Sequence, residues 1–243
     1  MPAEKPPTES PPTDQRSERS LPPVPIREEL DAAQKEYLTR GAPFKADVTI
    51  VDLGDGPMVV KDFSARSWWR RLIGRLEVGH ECRAYSYLGT MPCFPEFIGR
   101  IDANALAVER IEGISLAKVS DIATRREEYL AQLRTEMERL TALGFLHLDA
   151  RAYRNVLVRP DGRIVFIDLA GSSWVPPGRI GHRVFRSFLA LYYEANIIKW
   201  ETLLHPAGDP RLGQPRPPRY LHGLIDLRNA WSRLRRRRKA AGG

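Results

Sequence analysis

Residues Gly144 to Gly171, GFLHLDARAYRNVLVRPDGRIVFIDLAG, read as a short turn, two brief strands and a carboxylate at the exit. The β-branched runs Val156–Val158 and Ile164–Ile167 flank Pro160-Asp161-Gly162, a hairpin signal. His147, Asp149 and Asn155 fall in the turn before the first strand, and Asp168 falls at the end of the second. A carboxylate, an amide and a second carboxylate therefore sit at the ends of one hairpin and face the same side. Oxygen ligands of this kind suit divalent cations such as Mg²⁺, and a free carboxylate can accept a proton from a hydroxyl.

On these residues the chain resembles the protein-kinase-like superfamily, and within it the small bacterial RIO-like and lipopolysaccharide-kinase-like group. His147-Leu148-Asp149 is similar to the H-R-D catalytic loop, Asn155 to the metal-binding asparagine, and Asp168-Leu169-Ala170-Gly171 to the D-F-G segment. The interval from Asp149 to Asn155 is one residue longer than in the usual catalytic loop. The resemblance implies an α+β fold with two lobes, a small antiparallel sheet plus helix followed by a mainly helical lobe that carries the catalytic hairpin. It also implies ATP and Mg²⁺, with Asp149 meeting the acceptor hydroxyl, His147 bracing the loop, Arg151 near the transferred phosphate, and Asn155 and Asp168 on the metal.

Upstream, Ala46 to Leu53 alternates as a strand, Gly54-Asp55-Gly56 marks a tight turn, and Pro57 to Phe63 returns as the next strand. Lys61 lies among Val59, Val60 and Phe63, where an ammonium needs a partner because an unpaired buried charge is costly. Glu81, in the helical segment Val78–Leu88, is the preferred partner, with Glu77 one turn earlier as its rival. The pair resembles the strand lysine and helix glutamate that hold the nucleotide phosphates in kinases. Phe94–Ile101 and Ala105–Ile111 read as the last strands of this lobe. By resemblance, backbone groups of Glu109 to Ile111 would meet adenine.

Between Lys61 and Glu81 lies Ser64–Leu76, with Trp68, Trp69, Leu72 and Ile73 among Arg66, Arg70, Arg71 and Arg75. Two readings stay open: an inserted helix that covers the small lobe, or a basic aromatic face for an anionic lipid or phosphosugar. Leu116 to Leu143 carries apolar residues at helical spacing and is expected to be the long helix before the catalytic loop. Val184 to Leu204 is a second such pattern.

Two kinase features are absent from the sequence. Only Gly41 stands in Leu38–Pro43, where a glycine-rich phosphate loop is expected, and no A-P-E segment follows Asp168. The second absence favours a small molecule or lipid-linked sugar over a peptide as acceptor. The first keeps a catalytically silent, kinase-like binding module in play.

The ends differ sharply from the middle. Residues 1–27 are rich in Pro, Ser, Thr and Glu and are expected to be a disordered tail, followed by a short helix over Ile26–Leu38. The small lobe is then expected over 28–112 and the large lobe over 113–206. Residues 207–243 hold ten Lys or Arg against two Asp, the whole of the chain's +8. Tyr220, Leu221, Leu224, Leu227, Trp231 and Leu234 recur there at helical spacing, and Arg233 with Arg235–Lys239 closes the run. An anionic membrane surface, RNA and plain solvent are competing partners for that charge. With 42% apolar residues, no membrane-length apolar run, no signal pattern and two separated cysteines, Cys82 and Cys93, the chain reads as cytoplasmic, with peripheral membrane contact through Arg233–Lys239 as an added expectation.

Overall fold

The computed structural model describes residues 21–40 and 45–205. Most of the proline-rich leader, Gly41 and the basic stretch 207–243 lie outside the described residues. A short helix α1 (Arg27–Ala32) and strand β1 (Lys35–Thr39) open the fold, followed by β2 (Asp47–Asp52), β3 (Pro57–Asp62), the long helix α2 (Trp68–Leu88), β4 (Phe97–Arg100) and β5 (Ala105–Glu109). These strands form one antiparallel sheet in the order β1-β2-β3-β5-β4.

The period-2 alternation of the strands divides the sheet into two faces. Val51, Met58, Val60 and Ala107 bury against Leu30 of α1. Phe63, Leu106 and Val108 join the main core, in which Val78, Ala84 and Tyr85 of α2 pack and against which Val59 rests. Arg27 fastens α1 to the sheet by bonding Asp62 and Asp102 at 2.7 Å each.

The second half is mainly helical. It runs through β6 (Ile114–Ser115), α3 (Ile122–Leu143), β7 (Phe145–His147), β8 (Val156–Val158), β9 (Ile164–Phe166), β10 (Ser172–Trp174) and α4 (His182–Leu203). Strands β6, β8 and β9 form a small antiparallel sheet, and β10 pairs with β7. The main core continues without a break from Phe63 and Leu106 to Leu133, Phe145 and Trp200, so the two halves share one interior. Helix α3 ends at Gly144, whose φ of 69° and close approach to the Val175 carbonyl both require glycine.

Several boundaries differ from the sequence expectation. The helix expected over Ile26–Leu38 stops at Ala32, because Lys35–Thr39 pairs with β2 and leaves Tyr37 half exposed rather than beside Leu30. The two helical segments expected around Ser64–Leu76 and Val78–Leu88 are one helix. Gly74 does not break it, since a Cβ there would come within 2.4 Å of the Phe63 ring; the glycine permits that contact. Helix α3 starts at Ile122, with Leu116–Lys118 forming a separate 3₁₀ turn. The strand expected to reach Ile167 stops at Phe166, because the Ile167 N–H donates to the Asn155 carbonyl instead. Val24 packs on Gly99 and Pro25 is buried, so packing begins ahead of residue 28.

Candidate active site

Lys61 and Glu81 come together because one is near the end of a strand and the other lies midway along the helix packed on it. Lys61 shares the β3 face of Val59, and its Nζ donates to Glu81 Oε1 at 2.6 Å and to Asp168 Oδ1 at 2.9 Å. Burial opposes the ammonium charge, yet the Glu81 and Asp168 carboxylates outweigh it and raise the lysine above its ordinary range. Glu77, the rival, forms no ion pair with Lys61; burial and the neighbouring Glu81 charge push its carboxyl up. Glu81 Oε1 also accepts the Leu169 N–H at 3.3 Å, and His80 Nε2 meets the Ser172 carbonyl at 2.9 Å. Helix α2 is thus tied at two successive points to the segment after Asp168, a linkage the sequence did not signal.

The hairpin delivers the other groups. Ile167 N–H to Asn155 carbonyl, 2.9 Å, holds Asn155 beside the residue that precedes Asp168. Asp168 adopts φ 71°, the sole non-glycine residue with positive φ among the described residues. Such a backbone costs on the order of 1–3 kcal/mol and persists where neighbouring structure enforces it. Burial acts to raise the Asp168 carboxyl, but Lys61 dominates and holds it below the usual carboxylate range. Asp149 is exposed; its Oδ2 would lie 3.5 Å from a Cβ on Gly171, which sets it against the turn after Asp168.

Helix α4 fixes the backbone of the loop, and this bracing was missed at the sequence level because its residues read as plain helix positions. Tyr193 Oη donates to the Phe145 carbonyl and accepts from the His147 N–H, both at 2.9 Å. Tyr192 Oη donates to the Leu148 carbonyl at 2.5 Å, Trp200 Nε1 to Ala150 at 3.2 Å, and Lys199 Nζ to Arg151 at 2.9 Å. Arg151 is thereby placed by its own carbonyl, two residues past Asp149.

His147 is fully buried among Phe94 and Phe166, with neither ring nitrogen meeting a partner of good geometry. Burial depresses its pKa to about 4, against the pull of the Asp168 and Asp149 charges, so the ring is neutral near pH 7. Between about pH 6.5 and 4 the unfolded chain binds more protons at this position than the folded one. Acidification through that window must therefore destabilise the fold, by on the order of 3 kcal/mol in full. Asp168 acts separately: its depressed carboxyl favours the fold above its unfolded value, and that contribution disappears only at lower pH. Urea midpoints should fall from pH 6.5 to 4.5 in the native chain and change less in His147→Gln. An unchanged slope in the variant would contradict the assignment.

The Glu109 amide N–H donates to the Glu96 carbonyl at 2.8 Å, and its carboxylate bonds Arg159 at 2.8 Å across the junction of the two halves. Ile111 is half-buried beside Glu112 and Gly113, on the connection between the two sheets.

Among the described residues no group of three or more His, Cys, Asp or Glu side chains forms a metal cluster. The donor set still fits Mg²⁺, which binds through one or two carboxylates plus waters and phosphate oxygens. Asp168 supplies a part-exposed carboxylate, and Asn155 a buried side-chain amide whose oxygen is the atom able to ligate the ion. A groove of about 540 Å³ between α3 and α4, lined by Arg134, Met137, Tyr193 and Ile197, contains none of these residues.

No family model matches the chain, and no curated protein matches it. Many solved structures do match. The crystal structure of the Rio2 kinase–ADP/Mg²⁺–phosphoaspartate complex from Chaetomium thermophilum is similar at TM-score 0.50 and 17% identity, over 74% of this chain. The chain has a protein-kinase-like fold. It spans 60% of the length of the Rio2 chain, and at that identity the likeness speaks to the fold alone. No helix among the described residues is long and apolar enough to cross a membrane.

Proposed function

We propose that this chain is an ATP-dependent phosphotransferase of the small RIO-like and lipopolysaccharide-kinase-like type, with Mg²⁺ as its metal. The observation that carries the reading is the Lys61 ammonium held between Glu81 and Asp168 at 2.6 and 2.9 Å, with Asn155 bonded to the residue before Asp168. The Rio2 complex, described with ADP and Mg²⁺, supports the choice of nucleotide and metal. The connection through Ile111 is the proposed edge of the adenine site.

In this mechanism Lys61, pre-aimed by Glu81, would meet nucleotide phosphate oxygens, and the Asp168 carboxylate and the Asn155 amide oxygen would hold the metal. Mg²⁺, when bound, neutralises charge on the phosphates and orients them. Asp149, exposed beside the turn after Asp168, aligns the acceptor hydroxyl and takes its proton as the new O–P bond forms and the bond from the γ-phosphorus to the β–γ bridging oxygen breaks, with ADP as the leaving group. Arg151 offsets charge on the transferred group. Placement and charge neutralisation supply most of the rate in such transfers, so the rigid bracing by α4 is central.

The acceptor proposed is a lipid-linked sugar or another small hydroxyl compound, with a protein Ser or Thr as the variant. It is supported by the brief passage from Trp174 to the start of α4 at His182, which leaves no room for a broad peptide platform. Screening phosphate transfer from labelled ATP with Mg²⁺ across sugar, lipid and protein acceptors tests this. Label should appear on a hydroxyl of one small-molecule class; label on protein alone would exclude that acceptor class. The second reading, a silent kinase-like module at a membrane, draws on the phosphate-loop region, where only Gly41 is found.

A further inference from the structure

Helix α2 has two apolar faces, and only one of them is buried among the described residues. Gly74, Val78, Glu81, Ala84, Tyr85 and Leu88 are buried. Trp68, Trp69, Leu72, Ile73 and Leu76 recur at i, i+4 and i+8 spacing and are exposed at 74, 38, 57, 44 and 70%. By the 3.6-residue repeat the two sets fall on opposite sides of the helix. Isolated exposed apolar residues need no explanation, but a contiguous row of five large ones marks an interaction surface.

The charges around the row select the partner. Ser64–Leu76 contains Arg66, Arg70, Arg71 and Arg75 and no acidic residue, and α2 has no acid in its first turn. Arg66 is committed to Asp47, and Arg75 Nε bonds the neutral amide of Asn104. Arg70 lies over the Trp69 ring at 4.9 Å. Cations in the first turn oppose the helix dipole, so their placement is a cost to the helix in isolation. An anionic surface lying along the row reverses that cost and takes up the Trp and Leu side chains. A second copy of this chain would instead bring arginines against arginines, which disfavours self-association.

We infer that the outer face of α2, Trp68 to Leu76, docks the protein on an anionic lipid bilayer, the tryptophans and leucines entering the interfacial layer and the arginines meeting headgroups. This site is distinct from the basic stretch Arg233–Lys239 and does not depend on phosphoryl transfer. Because α2 also carries Glu81, docking would seat the helix that positions Lys61.

The full chain, mixed with vesicles of phosphatidylcholine alone or with added phosphatidylglycerol, provides the test by sedimentation and tryptophan fluorescence. Binding is expected only with phosphatidylglycerol, weakening as salt rises. Trp68→Ser/Leu72→Ser/Leu76→Ser should lower the vesicle partition by on the order of tenfold or more with an unaltered melting temperature. A variant with Arg235 to Arg238 changed to Ala should keep the fluorescence blue shift. The inference is overturned if the native chain ignores anionic vesicles, or if the serine variant binds as well as the native chain. It is equally overturned if the native chain sediments as a dimer that the serine variant dissociates, since a second copy would then own the face.

Discussion

Lys61→Met should both unfold the protein more easily and abolish ATP turnover. Glu81 is 1% exposed, and both its Lys61 and Leu169 contacts converge on a single carboxylate oxygen. Without the ammonium that carboxylate is a buried charge lacking its cation, a change that typically costs about 3–5 kcal/mol. If the proposed phosphotransferase reading holds, turnover should fall by about a hundredfold or more, because the cation proposed to meet the phosphates is gone. The double variant Lys61→Met/Glu81→Leu separates the two effects. An apolar pair in place of a buried ion pair restores much of the stability, yet turnover stays absent. Denaturant melts with a turnover assay on the same preparations check both; a double variant that regains turnover would contradict the role of Lys61.

Trp200→Ala should be the most damaging change far from the cleft. Trp200 is among the largest fully buried side chains, and its indole N–H satisfies the carbonyl of Ala150, the neighbour of Asp149. Truncation leaves a cavity and an unpaired carbonyl, about 3–5 kcal/mol together. Trp200→Phe keeps most of the volume and removes only the donor. Its expected signature is a milder loss of stability with reduced kcat and little change in KM for ATP, since the loop that aligns the acceptor loosens while Lys61 and Asp168 stay in place. A Phe variant with native kcat would show that the indole bond does not position the loop.

The sequence made the site legible where chemistry and local pattern coincide. The Pro160-Asp161-Gly162 turn between β-branched runs announced the hairpin, and an apolar-flanked Lys61 required a partner such as Glu81, which the 2.6 Å contact provides. It was illegible where tertiary contacts override local pattern. Leu30 and Tyr37 share a helical phase, yet sheet pairing claims Tyr37. Local pattern did not join Ser64–Leu76 to Val78–Leu88 as one helix, nor place Gly74 against Phe63. The β7–β10 pair consists of three-residue strands far apart in sequence, too short for any periodicity to reveal. The bracing of the Phe145–Arg151 backbone by Tyr192, Tyr193, Lys199 and Trp200 was hidden for another reason: a helical side chain announces its burial in sequence, but not which carbonyl its polar tip will reach.

Consumption of ATP by the purified full chain with Mg²⁺, set beside Asp149→Asn and Asp168→Asn, is the most direct trial of the proposed chemistry. Asparagine keeps the size of each side chain and tolerates the φ of 71° at position 168, so the fold should survive both changes. The native chain should consume ATP only with the metal present, and each variant should lose at least about a hundredfold of that rate. Equal rates in all three chains would mean that these carboxylates do not perform phosphoryl transfer.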